Sequence, residues 1–138
     1  MRKYYVDACI WLDYYENRSD RFRPLGEWAL QFLNRAIRKN IIILYSRIVV
    51  RELMKQYDEK EIVKIFEIIF SKDLLQEVEV TEKQTKYAMK ICKERNVAFG
   101  DALHAILARD NKAIVITRDR HFLELQDIAE SKKPEELI

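Results

Sequence analysis

Four carboxylates, Asp7, Glu52, Asp101 and Asp119, have the residue types and local settings for metal chemistry. Asp7 directly follows the apolar run KYYV, Glu52 lies inside VVREL, Asp101 stands near the start of FGDALHAILA, and Asp119 closes IVITRD. Carboxylates gathered in one place repel, raise one another's pKa, and stay ionised together only beside a cation. Hard oxygen donors select magnesium or manganese, and magnesium takes only one or two carboxylates directly while keeping several waters. The remaining acids would then act through water or hold a second ion. A site of this kind can activate a water and stabilise the leaving oxygen of an in-line phosphodiester hydrolysis.

Each acid also has a plainer use. Asp7 can cap a helix over ACIWLDYYE, Asp101 can cap the helix that follows Gly100, and Asp119 can be a turn aspartate. At about 100° per residue, Glu52 falls on the border between an apolar arc (Val49, Leu53, Tyr57, Val50, Met54) and a polar arc (Arg47, Arg51, Lys55, Asp58). Ala105 and Ala108 share the face of Asp101, which suits either open space above the carboxylate or tight helix packing. Arg118 and Arg120 flank Asp119 and suit either phosphate oxygens or a solvated loop. His104 and His121 read as satisfied or surface residues, because metal-assisted hydrolysis needs neither. Tyr4, Tyr5, Trp11, Tyr14 and Tyr15 fit core packing or a partner surface better than base stacking. Cys9 and Cys92 form no CxxC pair and read as buried small hydrophobes, which leaves zinc and redox chemistry without support.

The acids are positioned by elements with legible signals. Residues 3–6, 41–45, 75–79 and 113–117 are short, apolar and polar-bounded, and predict strands. Pro24 suits the first turn of a helix carrying Leu25, Trp28, Ala29, Phe32, Leu33, Ala36 and Ile37 at helical spacing and ending near Asn40. Ser46 can cap the next helix. Asp58 with Glu61, and Thr81 with Gln84, have capping-box spacing, and Asn96 offers a helix stop. Strands separated by helices predict parallel pairing and an α/β fold, in which sites form beyond the carboxyl ends of the strands. Asp7 and Asp119 fall at such ends.

With 138 residues, 49% of them hydrophobic, and no linker or low-complexity tract, the expectation is one domain over residues 1–138, with residues 131–138 (SKKPEELI) as a flexible tail. The net charge of +2 permits contact with nucleic acid without marking it. The apolar runs fall far short of the ~20 residues of a membrane span and the start has no signal-peptide core, so a cytoplasmic protein without a membrane partner is expected.

The four motifs KYYVD, VVREL, FGDALHAILA and IVITRD, in that order, resemble a PIN domain, the metal-dependent ribonuclease fold that includes VapC-type toxins. The resemblance runs from Asp7 to Asp119. It implies a PIN-like three-layer α/β/α fold with a central parallel sheet of four to five strands. It further implies that Asp7, Glu52, Asp101 and Asp119 are the catalytic, metal-binding acids of an Mg2+- or Mn2+-dependent endoribonuclease acting on single-stranded RNA. Thr117 matches the small hydroxyl residue that the family often has two places before the last acid, and Ser46 is a looser supporting match. Arg118 and Arg120, open between phosphate binding and a solvated loop on their chemistry alone, are the candidate RNA phosphate contacts.

A haloacid-dehalogenase-type phosphotransferase loses its acid and base because Cys9 stands where its second aspartate belongs, and a receiver domain is a poor match because Asp7 is not followed by its paired acids and phosphoacceptor. A non-catalytic PIN-fold RNA-binding or assembly module is the alternative, against which the retention of four mutually repelling acids weighs. A toxin paired with an antitoxin and a housekeeping RNA-processing nuclease both remain open. A homodimer is expected, because Trp28, Phe32, Phe66, Ile69 and Phe70 exceed what one face over a small sheet requires. In the toxin case the partner would be a small antitoxin whose arginine enters the acidic cleft.

Overall fold

A computed structural model describes residues 2–70 and 72–138. Five parallel strands, β1 (Lys3–Val6), β2 (Ile42–Tyr45), β3 (Leu75–Glu77), β4 (Ile114–Ile116) and β5 (Ser131–Lys132), form one sheet in the order β3-β2-β1-β4-β5. β1 is central, as its buried Tyr4, Tyr5 and Val6 require. The chain builds outward from β1 through β2 to β3, then crosses to the other side for β4, so the strand order reverses at β1 and β4. A crevice opens at the carboxyl ends of strands at such a reversal.

Among the described residues six α-helices cover the sheet: α1 (Ala8–Glu16), α2 (Leu25–Arg38), α3 (Arg47–Leu53), α4 (Glu59–Phe70), α5 (Glu82–Arg95) and α6 (Phe99–Asp110). Successive strand side chains point to opposite faces. Tyr4 accordingly meets Phe32 of α2 with ring centroids 5.3 Å apart, while Tyr5 meets His104 of α6 at 5.3 Å. The result is a three-layer α/β/α sandwich, with α1 to α4 in one layer and α5 and α6 in the other.

Local chemistry sets most helix ends. Asp7, Ser46 and Thr81 cap α1, α3 and α5 with their side chains, and Thr81 with Gln84 closes a full capping box. Asp58 Oδ1 accepts from Glu61 N at the start of α4, and Asn96 ends α5 in the left-handed region at φ 55°. α2 begins one residue after Pro24 and packs tightly on α1: a Cβ at Gly26 would stand 2.5 Å from Asn17 Cα and 2.7 Å from Asp13 O, so only glycine allows this approach. On α2 and α4 the apolar stripe is consumed internally, with Phe32, Phe66 and Ile69 buried, while Phe70 and Val63 stay exposed.

Three expectations are corrected. Residues 131–138 are not a free tail. Ser131 and Lys132 form the edge strand β5, and the 3₁₀ helix Pro134–Leu137 buries Pro134 and Leu137 against α2, where Arg35 donates to Leu137 O. A two-residue strand of Ser and Lys has no apolar signature, so composition hid it. Asp101 is not the cap of α6, because the helix starts at Phe99 and Asp101 sits in its first turn. Cys9 and Cys92 are half-buried rather than buried.

Candidate metal centre

Asp7, Glu52, Asp101 and Asp119 all line one open cleft of about 600 Å³ at the carboxyl edge of the sheet. Each arrives from a different element. Asp7 ends β1 and Asp119 follows β4, while Asp7 N donates to Ile116 O at 3.0 Å and so ties the two strand ends together. Glu52 comes from α3, which Ser46 starts at the end of β2, and Asp101 from the first turn of α6.

The acids sort into two adjoining groups. Ligand atoms of Asp7, Glu52 and His104 lie within 4.8 Å of one another, as do those of Asp101, Asp119 and His121. Asp7 is only 8% exposed. Its Oδ1 accepts from Ala8 N at 2.8 Å and its Oδ2 from Thr117 Oγ1 at 2.8 Å. Burial raises the Asp7 pKa and the Glu52 charge adds to the rise, while His104, in its protonated form, and these two donors oppose it without cancelling it. Thr117 Oγ1 also accepts from Asp119 N at 3.1 Å, so one hydroxyl sets the relative position of two of the acids.

Asp101 is pushed up from 3.8 to about 6 by burial first, then by the charges of Asp119 and Asp7. His121, exposed, stands 3.0 Å from Asp119 Oδ1 and 3.9 Å from Asp101 Oδ2. His104 is buried, with Nε2 2.7 Å from Glu52 Oε1 and Nδ1 2.7 Å from the Tyr5 hydroxyl, which is itself 2.7 Å from Ser46 Oγ. Four hard oxygen donors under mutual strain, two of them with raised pKa, fit a divalent cation such as magnesium or manganese.

The flanking residues divide differently from expectation. The Arg118 guanidinium is taken up inside the protein: Nε donates to Asp13 Oδ2 at 3.1 Å, Nη1 to Glu135 Oε2 at 3.0 Å, and the group lies over the Trp28 ring. It borders the cleft but joins α1 to the C-terminal 3₁₀ helix, leaving no free fork for phosphate. Arg120 is exposed and does not line the cleft. Ala105 and Ala108 are fully buried and serve tight packing of α6 rather than open space.

Three further residues stand at the site to which the sequence alone assigns no role there. Arg18 and Lys55 stand on the cleft rim, and His104 bridges to Glu52. Lys55 is three residues past Glu52 and His104 three past Asp101, so helical spacing was the available signal for both. Arg18 lies beyond the end of α1 and had none.

The PIN domain profile matches residues 4–128, and the chain belongs to the PIN-domain family, whose members are typically nucleases. Among solved structures, the fold is similar to VapBC2 from Rickettsia felis bound to a DNA fragment from their promoter (TM-score 0.67, 17% identity, 94% of this chain and 97% of that chain). It is also similar to FitAcB from Neisseria gonorrhoeae (TM-score 0.62, 17% identity, 95% and 97%) and to PAE2754 from Pyrobaculum aerophilum (TM-score 0.56, 17% identity, 94% and 89%). No curated protein matches the sequence.

The Asp101 shift gives a signed prediction for the metal-free protein. A folded pKa raised to about 6 means that the protonated form is favoured on folding, so the contribution is fully present only below the unfolded value of 3.8 and is lost as pH rises through about 6. At about 1.4 kcal/mol per pH unit the rise from 3.8 to about 6 corresponds to about 3 kcal/mol; solvent screening of this half-buried group and about 0.5 kcal/mol for the lost charge at the helix N-terminus reduce this, so Asp101→Asn should stabilise the metal-free protein by about 1–2 kcal/mol at pH 7.5 and by little at about pH 3.5. Urea denaturation in chelator at the two pH values measures this. A variant less stable than wild type at pH 7.5 would contradict the repulsion.

Proposed function

We propose that this PIN domain is a metal-dependent endoribonuclease that hydrolyses phosphodiester bonds of single-stranded RNA. The observation that carries the reading is the lining of one open cleft by Asp7, Glu52, Asp101 and Asp119, with Lys55 and Arg18 on its rim. The four acids would hold Mg2+ or Mn2+. Bound there, the ion would supply a water of lowered pKa and stabilise developing charge on phosphate oxygens.

The chain's own residues do the rest. Thr117 and the Ala8 amide fix both oxygens of Asp7, so that its carboxylate does not rotate when substrate arrives. A negative floor with cations on the rim draws a phosphodiester across the mouth, since the rim offsets the repulsion between floor and backbone. Lys55 is better placed for phosphate than Arg118, whereas Arg18 is already paired through Nε with Glu16 Oε1 at 2.7 Å and contributes its charge to the rim, and Arg120 remains a contact for RNA running past the cleft. An unpaired strand has the flexibility to bring its backbone to acids lining such a cleft, which a duplex lacks.

The biological setting we favour is a toxin held by a small antitoxin in the cytoplasm. Support comes from fold neighbours that include VapBC2 bound to promoter DNA and FitAcB. Among the described residues no helix is long and apolar enough to cross a membrane. A homodimer through the face carrying Val63 and Phe70 also belongs to this reading. These side chains border a groove of about 320 Å³ with Tyr45, Val50, Ile62, Phe66 and Leu75. Light scattering should show a concentration-dependent dimer, and a monomer at every micromolar concentration would remove that element alone.

Cleavage is the test of the function itself. Purified protein should cut single-stranded RNA in magnesium or manganese, leave duplex RNA largely intact, and stop in chelator. Asp7→Asn, which keeps the shape and deletes the charge, should lower the rate at least about 100-fold, since each tenfold corresponds to about 1.4 kcal/mol of barrier. Equal cleavage by wild type in chelator, or by the folded Asp7→Asn variant in magnesium, would reject the assignment.

A further inference from the structure

His104 is buried to 1% exposure beneath the acidic cleft, and the hydrolysis outlined above makes no use of it. Its surroundings are specific. Tyr5 and Ser46, both fully buried, stand behind it, and Glu52 stands in front. The four residues belong to α6, β1, the end of β2 and α3, so the chain of contacts crosses the sheet edge from one helical layer to the other.

Proton counting assigns the direction of every bond. Ser46 Oγ already accepts from Ile48 N at 3.2 Å, and among the described residues its only other partner is the Tyr5 hydroxyl. The Ser46 proton therefore goes to Tyr5, or it is buried without an acceptor, which is costly. Tyr5 then has one proton left, and His104 Nδ1 at 2.7 Å receives it. The ring is left with its proton on Nε2, pointing at Glu52 Oε1, a carboxylate that accepts only. The opposite direction, with Nδ1 donating to Tyr5 and Tyr5 to Ser46, strands the serine proton.

From this geometry, and resting on the metal-site reading, we propose that His104 is a positioning residue: fixed from behind by Ser46 and Tyr5, it donates Nε2–H to Glu52 and holds that carboxylate facing the cleft. Both ring nitrogens are consumed by hydrogen bonds, so His104 is not itself a ligand, although its Nε2 lies among the candidate ligand atoms. Glu52 needs such a hold. It is carried by a helix of only seven residues and its side chain is 33% exposed, leaving it free to turn into solvent without a partner. Asp7 Oδ1, at 4.0 Å from Nε2, is too distant to take the same proton. Partners that orient a ligand in this way typically govern metal affinity by 10- to 100-fold.

The test uses the full chain labelled with nitrogen-15 in its histidine rings, observed by long-range proton–nitrogen correlation at pH 8 with and without magnesium, together with manganese affinity by calorimetry. Wild-type His104 should be protonated on Nε2 alone in both states, and Tyr5→Phe should mix the two tautomers. His104→Leu should bind manganese about 10- to 100-fold more weakly than wild type. His104→Gln, whose amide can replace the lost donor, should restore affinity to within about threefold. A wild-type ring protonated on Nδ1 or on both nitrogens in the magnesium-loaded protein would overturn the proposal, as would a His104→Leu variant that binds manganese as tightly as wild type. If His104→Leu does not fold, the response of the ring to Tyr5→Phe decides, with an unchanged Nε2–H tautomer counting against the relay. Wild type that binds no metal would instead reject the metal-site reading, and the ring tautomer would still decide the relay.

Discussion

Like-charge repulsion among carboxylates in a half-buried cleft is the constraint around which the carboxyl edge of the sheet is organised. Asp7 is almost fully withdrawn from water, and a carboxylate in that position is protonated unless donors meet it. Two donors do, Thr117 Oγ1 and Ala8 N, and each is there because of a backbone feature. Ala8 N is free because it opens α1. Thr117 is in range because β4 lies beside β1 in parallel register, with Val6 opposite Ile116. The repulsion that remains is visible at Asp101, whose pKa reaches about 6 under burial and the charges of Asp119 and Asp7.

The nearest strong cation in sequence does not relieve that repulsion. Arg118 lies between Thr117 and Asp119, yet its guanidinium turns away to Asp13 and Glu135. Burial alone would raise the Glu135 pKa, but Arg118 outweighs it and the net direction is down. The arginine thereby closes the C-terminal segment onto α1 and leaves the cleft floor negative. Charge of the opposite sign is kept to the rim, at Lys55 and Arg18. An internal arginine on the floor would neutralise the acids permanently, whereas a floor left uncompensated is open to an exchangeable ion.

The sequence was most legible where local chemistry decides the outcome. The strands β1, β2 and β4, the caps Ser46, Asp58 and Thr81, and the stop at Asn96 follow from residue type and spacing, and the parallel order follows from alternation of strand and helix. What was hidden depends on tertiary contact. β5 is two polar residues long and exists because β4 offers a free edge. Arg118 looked like a phosphate ligand because nothing near it in sequence announces Asp13 or Glu135 as its partners. His104 reads as a satisfied or surface residue, and it is buried and satisfied, but by Tyr5 of β1 and Glu52 of α3, both far from it in sequence. Large residues such as Phe32 and Ile69 suggested an interface, and most of them are consumed by the layer formed between α2 and α4 and the sheet.

The central claim is that these four carboxylates form one cation site. Crystals of the protein grown without divalent ions and soaked in manganese, with anomalous diffraction data collected at a wavelength where manganese scatters strongly, test it directly. The account predicts an anomalous peak within coordination distance of at least two of Asp7, Glu52, Asp101 and Asp119, and its loss in crystals of Asp7→Asn. A map with no peak in the cleft at millimolar manganese, or with its strongest peak elsewhere on the molecule, would contradict it.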